Sequence, residues 1–134
     1  MPEVSTYDPK KVTVSIGGRV ITGFAADGVV TLTHNEDAVT PRVGAKGDVA
    51  YSENANNSGN AALPLMSTSS SLAYLREICA KRRPVRFSVS DVNDADAIQV
   101  SEENCRILKM PDTPRSKDPT TVTVNVYIPD LNYR

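Results

Sequence analysis

Tryptophan is absent from this chain, and aromatic residues amount to only 5% of its 134 positions. A core must therefore be filled by Val, Ile and Leu. A binding module that stacks sugars or bases on clustered rings has little to be built from. There is one histidine, His34, so a nucleophile–histidine–carboxylate relay has a single possible base. It stands beside Asn35, Glu36 and Asp37, where a surface histidine among acids is the plain reading. The two cysteines, Cys79 and Cys105, are too few for a disulfide scaffold. With no secretion pattern behind Met1-Pro2-Glu3, they are expected to be free, buried thiols. With one histidine and two cysteines a zinc site lacks ligands, and neither a metal nor any other cofactor is expected. No apolar run approaches the ~20 residues that span a bilayer, so no membrane anchor is expected and the chain is expected to be made in a cytoplasm. A formal net charge of -1 gives no overall attraction to nucleic acid or to an anionic membrane.

What is present is ordinary for a globular protein, with 40% hydrophobic and 23% charged residues. The length fits one domain spanning 1–134. Period-two alternation dominates. Val12, Val14 and Ile16 alternate with Lys11, Thr13 and Ser15, the mark of a half-buried strand. Gly17-Gly18 follows and tolerates the positive φ of a two-residue hairpin, so that 16 faces 19, 14 faces 21 and 12 faces 23. Because this glycine pair leads from strand to strand, it is no phosphate cradle. A third strand is expected over 29–33. The segment 34–47 shows no sustained period and reads as an extended loop, a length that is usually functional where it occurs. Strands at 48–53 and 61–66 are expected around an Asn-rich turn, with Pro64 placing the second at an edge or a bulge.

One helix is expected over 69–83. Serines from Ser67 to Ser71 offer N-caps, Leu72, Leu75, Ile78 and Cys79 recur at helical spacing, and Pro84 stops it. Val85, Phe87 and Val89 then alternate with Arg86, Ser88 and Ser90. An acidic stretch leads to a strand near 101–110, and Val122, Val124, Val126 and Ile128 close the chain against Thr121, Thr123, Asn125 and Tyr127. The fold class is thus mainly β, an antiparallel barrel or sandwich with one α-helix packed on it.

Charge is uneven along the chain. Arg76, Lys81, Arg82, Arg83 and Arg86 fall within 76–86 against Glu77 alone. Asp91, Asp94, Asp96, Glu102 and Glu103 fall within 91–103 with no basic residue. The basic run reads as a cluster complementing the negative helix end, or as one of two complementary patches that meet across copies of the chain. A nucleic-acid patch fits less well, because no aromatics are interleaved. Short polar residues on the outward strand positions (Thr13, Ser15, Thr22, Ser88, Ser90, Thr121, Thr123, Asn125) describe a wet sheet face or the lining of a lumen.

In order along the chain, Tyr7-Asp8-Pro9, the Val12–Gly18 run, Ile21-Thr22-Gly23-Phe24-Ala25, Glu36-Asp37, Val43–Val49 and Leu63-Pro64-Leu65-Met66-Ser67-Thr68-Ser69 resemble tail-tube proteins of contractile-tailed bacteriophages. The helix, Pro84-Val85, Pro111-Asp112 and the terminal valine-rich strand complete the resemblance, which covers nearly the whole chain. It implies a structural protein and not an enzyme: homohexameric rings whose strands join into one larger inter-subunit barrel, stacked into a tube. A sheath protein would lie outside. The tape-measure protein and then DNA would occupy the lumen, and baseplate and tail-terminator proteins the ends, in a virion assembled in the host cytoplasm. Tubes of phage-tail-like bacteriocins and of type VI secretion-like systems share the expected fold. A monomeric β-sandwich binding module is the alternative from another class.

On that picture the sheet of one copy is incomplete and closes when sibling chains supply neighbours. The loop 34–47 would be an arm lying on the next ring, with Asp37, Thr40, Arg42, Val43 and Lys46 in contact and Arg82 and Arg83 completing the inter-subunit surface. A wall passed by a polyanion should not be basic, so some of Asp91, Asp94, Asp96, Glu102 and Glu103 would face the lumen or a subunit joint.

Overall fold

A computed structural model describes residues 9–26, 28–92, 98–111 and 120–132. Strands β1 (Val12–Ile16) and β2 (Arg19–Val20) form the expected hairpin around Gly17 and Gly18, whose φ values of 61° and 87° suit glycine. Ile16 pairs with Arg19, and the Ile21 N–H donates to the Val14 carbonyl, as the expected register requires. Beyond Ile21 the chain turns away, so the expected pairing of 12 with 23 does not form.

β3 (Thr31–His34), β4 (Val39–Val43), β5 (Val49–Glu53) and β6 (Gly59–Met66) follow, then α1 (Ser71–Lys81), β7 (Val85–Asp91), β8 (Gln99–Cys105) and β9 (Thr121–Ile128). All pairings are antiparallel. They build a four-stranded sheet β2-β1-β7-β8, a three-stranded sheet β3-β6-β9 and a separate β4-β5 ribbon. The two larger sheets face each other across one core. Val14, Ile16, Phe87, Val89 and Val100 come from the first, and Ala61, Leu63, Leu65, Val122, Val124, Val126 and Ile128 from the second, all at most 3% exposed.

Three expectations change. The segment 34–47 is not irregular throughout, because β4 lies within it and pairs with β5. β5 therefore belongs to the ribbon and does not share a turn with β6. Pro64 sits within β6, the central strand of its sheet, rather than on an edge strand. It is accommodated because β3 stops pairing at Ala62. The Pro64 carbonyl accepts from the Ala25 N–H at 2.8 Å, so its missing N–H falls on this sparsely paired side. Finally, the sheets already meet at both seams within one chain. Phe24 bridges to Leu65 and Arg106 to Tyr127. A sibling copy is thus not needed to close the core, and what remains open to neighbours is strand edge and surface.

α1 is shorter than expected. Arg82 takes a left-handed conformation (φ 53°) and its N–H returns to the Cys79 carbonyl, ending the helix before Arg83, which precedes Pro84 and is steered away from the helical region. At the start, the Ser71 N–H donates to Ser69 Oγ, while Ser69 and Ser71 also exchange hydrogen bonds with the Thr22 backbone. Leu72, Leu75 and Ile78 are buried, as their spacing requires. The helix thus covers the barrel end near the close of β6. At the opening of β6, Leu131 covers the other end. It is 1% exposed, its N–H donates to the Asn57 carbonyl, and its own carbonyl accepts from Asn57 Nδ2 and lies 3.0 Å from His34 Nε2. The histidine therefore serves the packing of the C-terminal segment.

Gly59 lies directly beneath Leu131, and a Cβ there would come within 2.4 Å of Leu131 Cδ2 and 2.9 Å of the Thr33 carbonyl. Gly59→Ala is expected to lower unfolding stability by about 1–3 kcal/mol through overpacking. Leu131→Ala alone should cost about 2–5 kcal/mol. Because the added methyl enters the space the leucine leaves, the double variant should lose less than the sum of the two, as measured by urea unfolding.

Candidate assembly surfaces

The β4–β5 ribbon is the least enclosed part of the chain: every residue of both strands is exposed. Its register (Val39 with Glu53, Pro41 with Tyr51, Val43 with Val49) places Val39, Pro41, Val43, Val49 and Tyr51 on one face, and Thr40, Arg42, Ala50 and Ser52 on the other. The turn between the strands is fixed by the Gly44 N–H on the Asp48 carbonyl and the Gly47 N–H on the Gly44 carbonyl, with Gly47 at φ 90°. At the base, Asn54 Nδ2 donates to the Asp37 carbonyl and Asn56 Nδ2 to the Glu36 carboxylate. Among the expected contact residues, Asp37 therefore stands at the base, Thr40 and Arg42 on the polar face, Val43 on the apolar face and Lys46 in the tip. Sequence reasoning missed the apolar face. The alternation Val39-Pro41-Val43 and Val49-Tyr51 is its only signal, and without burial it is short and broken by the turn.

Arg82 and Arg83 lie together, exposed, just past α1. Arg106 joins them from the segment after β8, its Nη2 donating to the Arg82 carbonyl at 2.7 Å. The sequence did not single out Arg106, which is 24 residues away and is brought in by the bridge to Tyr127. Between these arginines lies an open cleft of about 660 Å³ lined by Cys79, Ala80, Arg82, Arg106, Ile107 and Leu108. Lys81 is engaged elsewhere, in an exposed pair with Glu77 at 3.0 Å that adds little stability.

The acidic residues do not gather into one described patch. Asp94 and Asp96 lie outside the described residues. Asp91 ends β7 opposite Val12 and is half-buried. Glu102 pairs with Phe87, after which the register slips, so that Glu103 and Asn104 together oppose Arg86 in a β-bulge. The hydroxyl-rich positions also divide. Thr13, Ser15, Ser88 and Ser90 lie on the outer face of the four-stranded sheet, whereas Thr121, Thr123 and Asn125 lie on the outer face of the other. Those faces look away from each other across the shared core, so the two groups cannot line one lumen together. Arg86 bridges to Ser101 on the first face through Nε and Nη2.

Both cysteines are free. Cys79 is half-buried at the cleft, its Sγ 3.7 Å from the Ile107 carbonyl. Cys105 is wholly buried, and its thiol is pushed up from 9.0 to about 12, chiefly by burial and then by the nearby Glu102 charge, with a hydrogen bond from the Phe87 backbone acting the other way.

No family model and no curated protein sequence matches the chain. Solved structures do share its fold. The anti-feeding prophage cap, a tube-terminating cap, superposes with a TM-score of 0.58 at 9% identity, covering 99% of this chain and 95% of that one. The sheath/tube terminator of the extracellular contractile injection system PVC, in its extended state, gives 0.60 at 13% identity over 100% and 98%. A chain of the extended PVC sheath–tube complex gives 0.58 at 12% identity over 92% and 88%.

The burial difference between the cysteines predicts a thiol titration in two classes. In native protein Cys79 should react with an aromatic disulfide reagent and Cys105 only after unfolding, so Cys79→Ser should remove the native signal. Since Cys105 holds its proton more tightly in the folded chain, its neutral thiol contributes fully below pH 9, and that contribution falls from there towards about 12. Cys105→Ala should flatten the loss of stability across that alkaline window, measured by urea unfolding at stepped pH.

Proposed function

We propose that this chain is a ring-forming structural subunit of a contractile tail or injection apparatus, in which copies join side by side and stack along a tube. The observation that carries this reading is the fold it shares, over nearly its full length, with a tube-terminating cap, a sheath/tube terminator and a chain of a sheath–tube complex. Three features of the chain support it. The eight-residue strand β9 is an edge of its sheet, among the described residues; beyond the one bridge of Tyr127 to Arg106 it bears the polar Thr121, Thr123 and Asn125 rather than the charges or prolines that usually blunt an edge. The ribbon leaves an apolar face uncovered. The outer face of the four-stranded sheet presents hydroxyls from Thr13, Ser15, Ser88 and Ser90, fit to line a wall past which cargo slides.

The specific reading is a phage tail tube: homohexameric rings, a sheath outside, a tape-measure protein and then DNA within, and baseplate and terminator proteins at the ends, all in a virion assembled in the host cytoplasm. The equivalent tube of a bacteriocin or secretion-like system fits the same surfaces. In either case the mechanism is mechanical. Edge pairing holds a ring; the ribbon and the arginines at the end of α1 hold one ring to the next. Asp91, at the end of β7 on the side of Val12, and Glu103, in the bulge opposite Arg86, belong to subunit joints or the lumen rim. A second reading is a terminating ring at a tube end, favoured by two of the similar structures being caps or terminators.

Negative-stain microscopy of the concentrated protein separates these. Hollow tubes of varied length are the expected result, single discs support the terminating ring, and a monodisperse monomer overturns both. Replacing residues 39–53 by a short Gly-Ser link should leave the sandwich folded, with a cooperative urea-unfolding transition, but convert tubes to isolated rings. Tubes that survive this replacement remove the ribbon from the stacking contact.

A further inference from the structure

The ribbon raises a narrower question, which rests on the assembly reading above: what covers its apolar face. Val39, Val43, Val49 and Tyr51 are 37%, 70%, 52% and 72% exposed. A two-stranded ribbon gains little stability in water on its own, so a surface of this kind is ordered best by cover from outside. We infer that this face seats on a second copy of the chain, in the cleft between the end of α1 and residues 106–108.

The two surfaces match in chemistry. The cleft floor is apolar where Ala80, Ile107 and Leu108 line it, and Leu108 is 70% exposed. Its rim is cationic, because Arg82 and Arg106 line it and, among the described residues, no carboxylate does. The ribbon with its base is anionic: Glu36, Asp37, Asp48 and Glu53 against Arg42 and Lys46 give a formal charge of -2 over 36–53. Glu53 lies on the apolar side, opposite Val39, and Asp48 lies at the tip turn. Valine and tyrosine side chains would therefore meet Leu108, with Ile107 buried beneath it, while the ribbon carboxylates meet the arginines. Arg106 is held in place by the Arg82 carbonyl through one Nη2 contact, which leaves its remaining N–H groups for a carboxylate. Opposite rim charges of this kind fix register and speed encounter more than they add affinity.

Cys79, which lines the cleft, supplies the test. Val43→Cys and Val49→Cys, made singly in the full chain, each place a thiol on the ribbon face. Because a disulfide forms only when Cβ atoms approach to about 3.5–4.5 Å, mild oxidation reports seating directly. The expected result is a ladder of disulfide-linked chains on a non-reducing gel, abolished by adding Cys79→Ser and retained with Cys105→Ser. In the same background Glu53→Arg or Arg106→Glu should each cut cross-linking at least tenfold, and the two together should restore it. Tubes or rings that form without cross-linking at Cys79 would overturn this seating and leave the assembly reading in place. Cross-linking to Cys79 with no ring or tube in the microscope would uphold the seating and overturn the assembly reading. Neither cross-links nor assemblies at the highest soluble concentration would overturn both.

Discussion

The pairing of β6 with β9 is the interaction on which the rest of the structure depends. Eight consecutive residue pairs, from Gly59 with Ile128 to Met66 with Thr121, lie in unbroken register. On one side of that pair Ala61, Leu63, Leu65, Val122, Val124, Val126 and Ile128 are all at most 3% exposed. A slip of one residue would turn that whole set outward. Everything else attaches here. β3 pairs with β6, the segment after β2 bridges to Leu65, the segment after β8 bridges to Tyr127, and Leu131 closes over Gly59. The two seams are each a single bridge, so the four-stranded sheet is tied to this ladder by few backbone bonds and mostly by the shared apolar core.

That arrangement divides the chain into parts with different stability. The sandwich buries its apolar residues within one copy and can fold before any neighbour arrives. The ribbon buries nothing of its own, and its order rests on ten strand residues, the tip turn and the Asn54 and Asn56 side-chain bonds at the base. Amide exchange should therefore be fastest there in an isolated copy, since local opening costs least where few apolar contacts must break. On the proposed reading, coupling the ordering of such an element to docking would let a subunit stay apart when alone and become rigid on joining its siblings.

The parts that bury one face were legible in the sequence. Val12-Val14-Ile16, Val85-Phe87-Val89 and Val122-Val124-Val126 each declare a period of two because the core enforces it, and Leu72, Leu75 and Ile78 declare the helix for the same reason. What was not legible depends on geometry beyond periodicity. The helix ends two residues early because Arg82 adopts a positive φ, a choice that composition does not announce. Pro64 is tolerated in a central strand because a neighbour stops short, which is a fact about β3 and not about Pro64. The hydroxyl-rich positions read as a wet sheet face or as the lining of a lumen, and alternation says only that a residue points outward, not which sheet carries it. Arg106 escaped notice because its partners at the helix end are distant in sequence. The ribbon was hidden for a deeper reason: among the described residues its apolar face has no partner in its own chain to impose a clear pattern.

Pro41 has a consequence for the company the ribbon can keep. The bonds between β4 and β5 run through the pairs on either side of it, as the Asn54 N–H on the Ala38 carbonyl and the Gly44 N–H on the Asp48 carbonyl fix the phase of the ladder. Pro41 thus turns its imide nitrogen to the free rim of β4, where an amide would otherwise advertise for another strand. Removing that donor costs the hairpin nothing and denies a template to stray chains. A ribbon stocked with valine and tyrosine can then remain in a crowded cell without seeding fibrils, and the proposed seat would have to be recognised by shape and side chain.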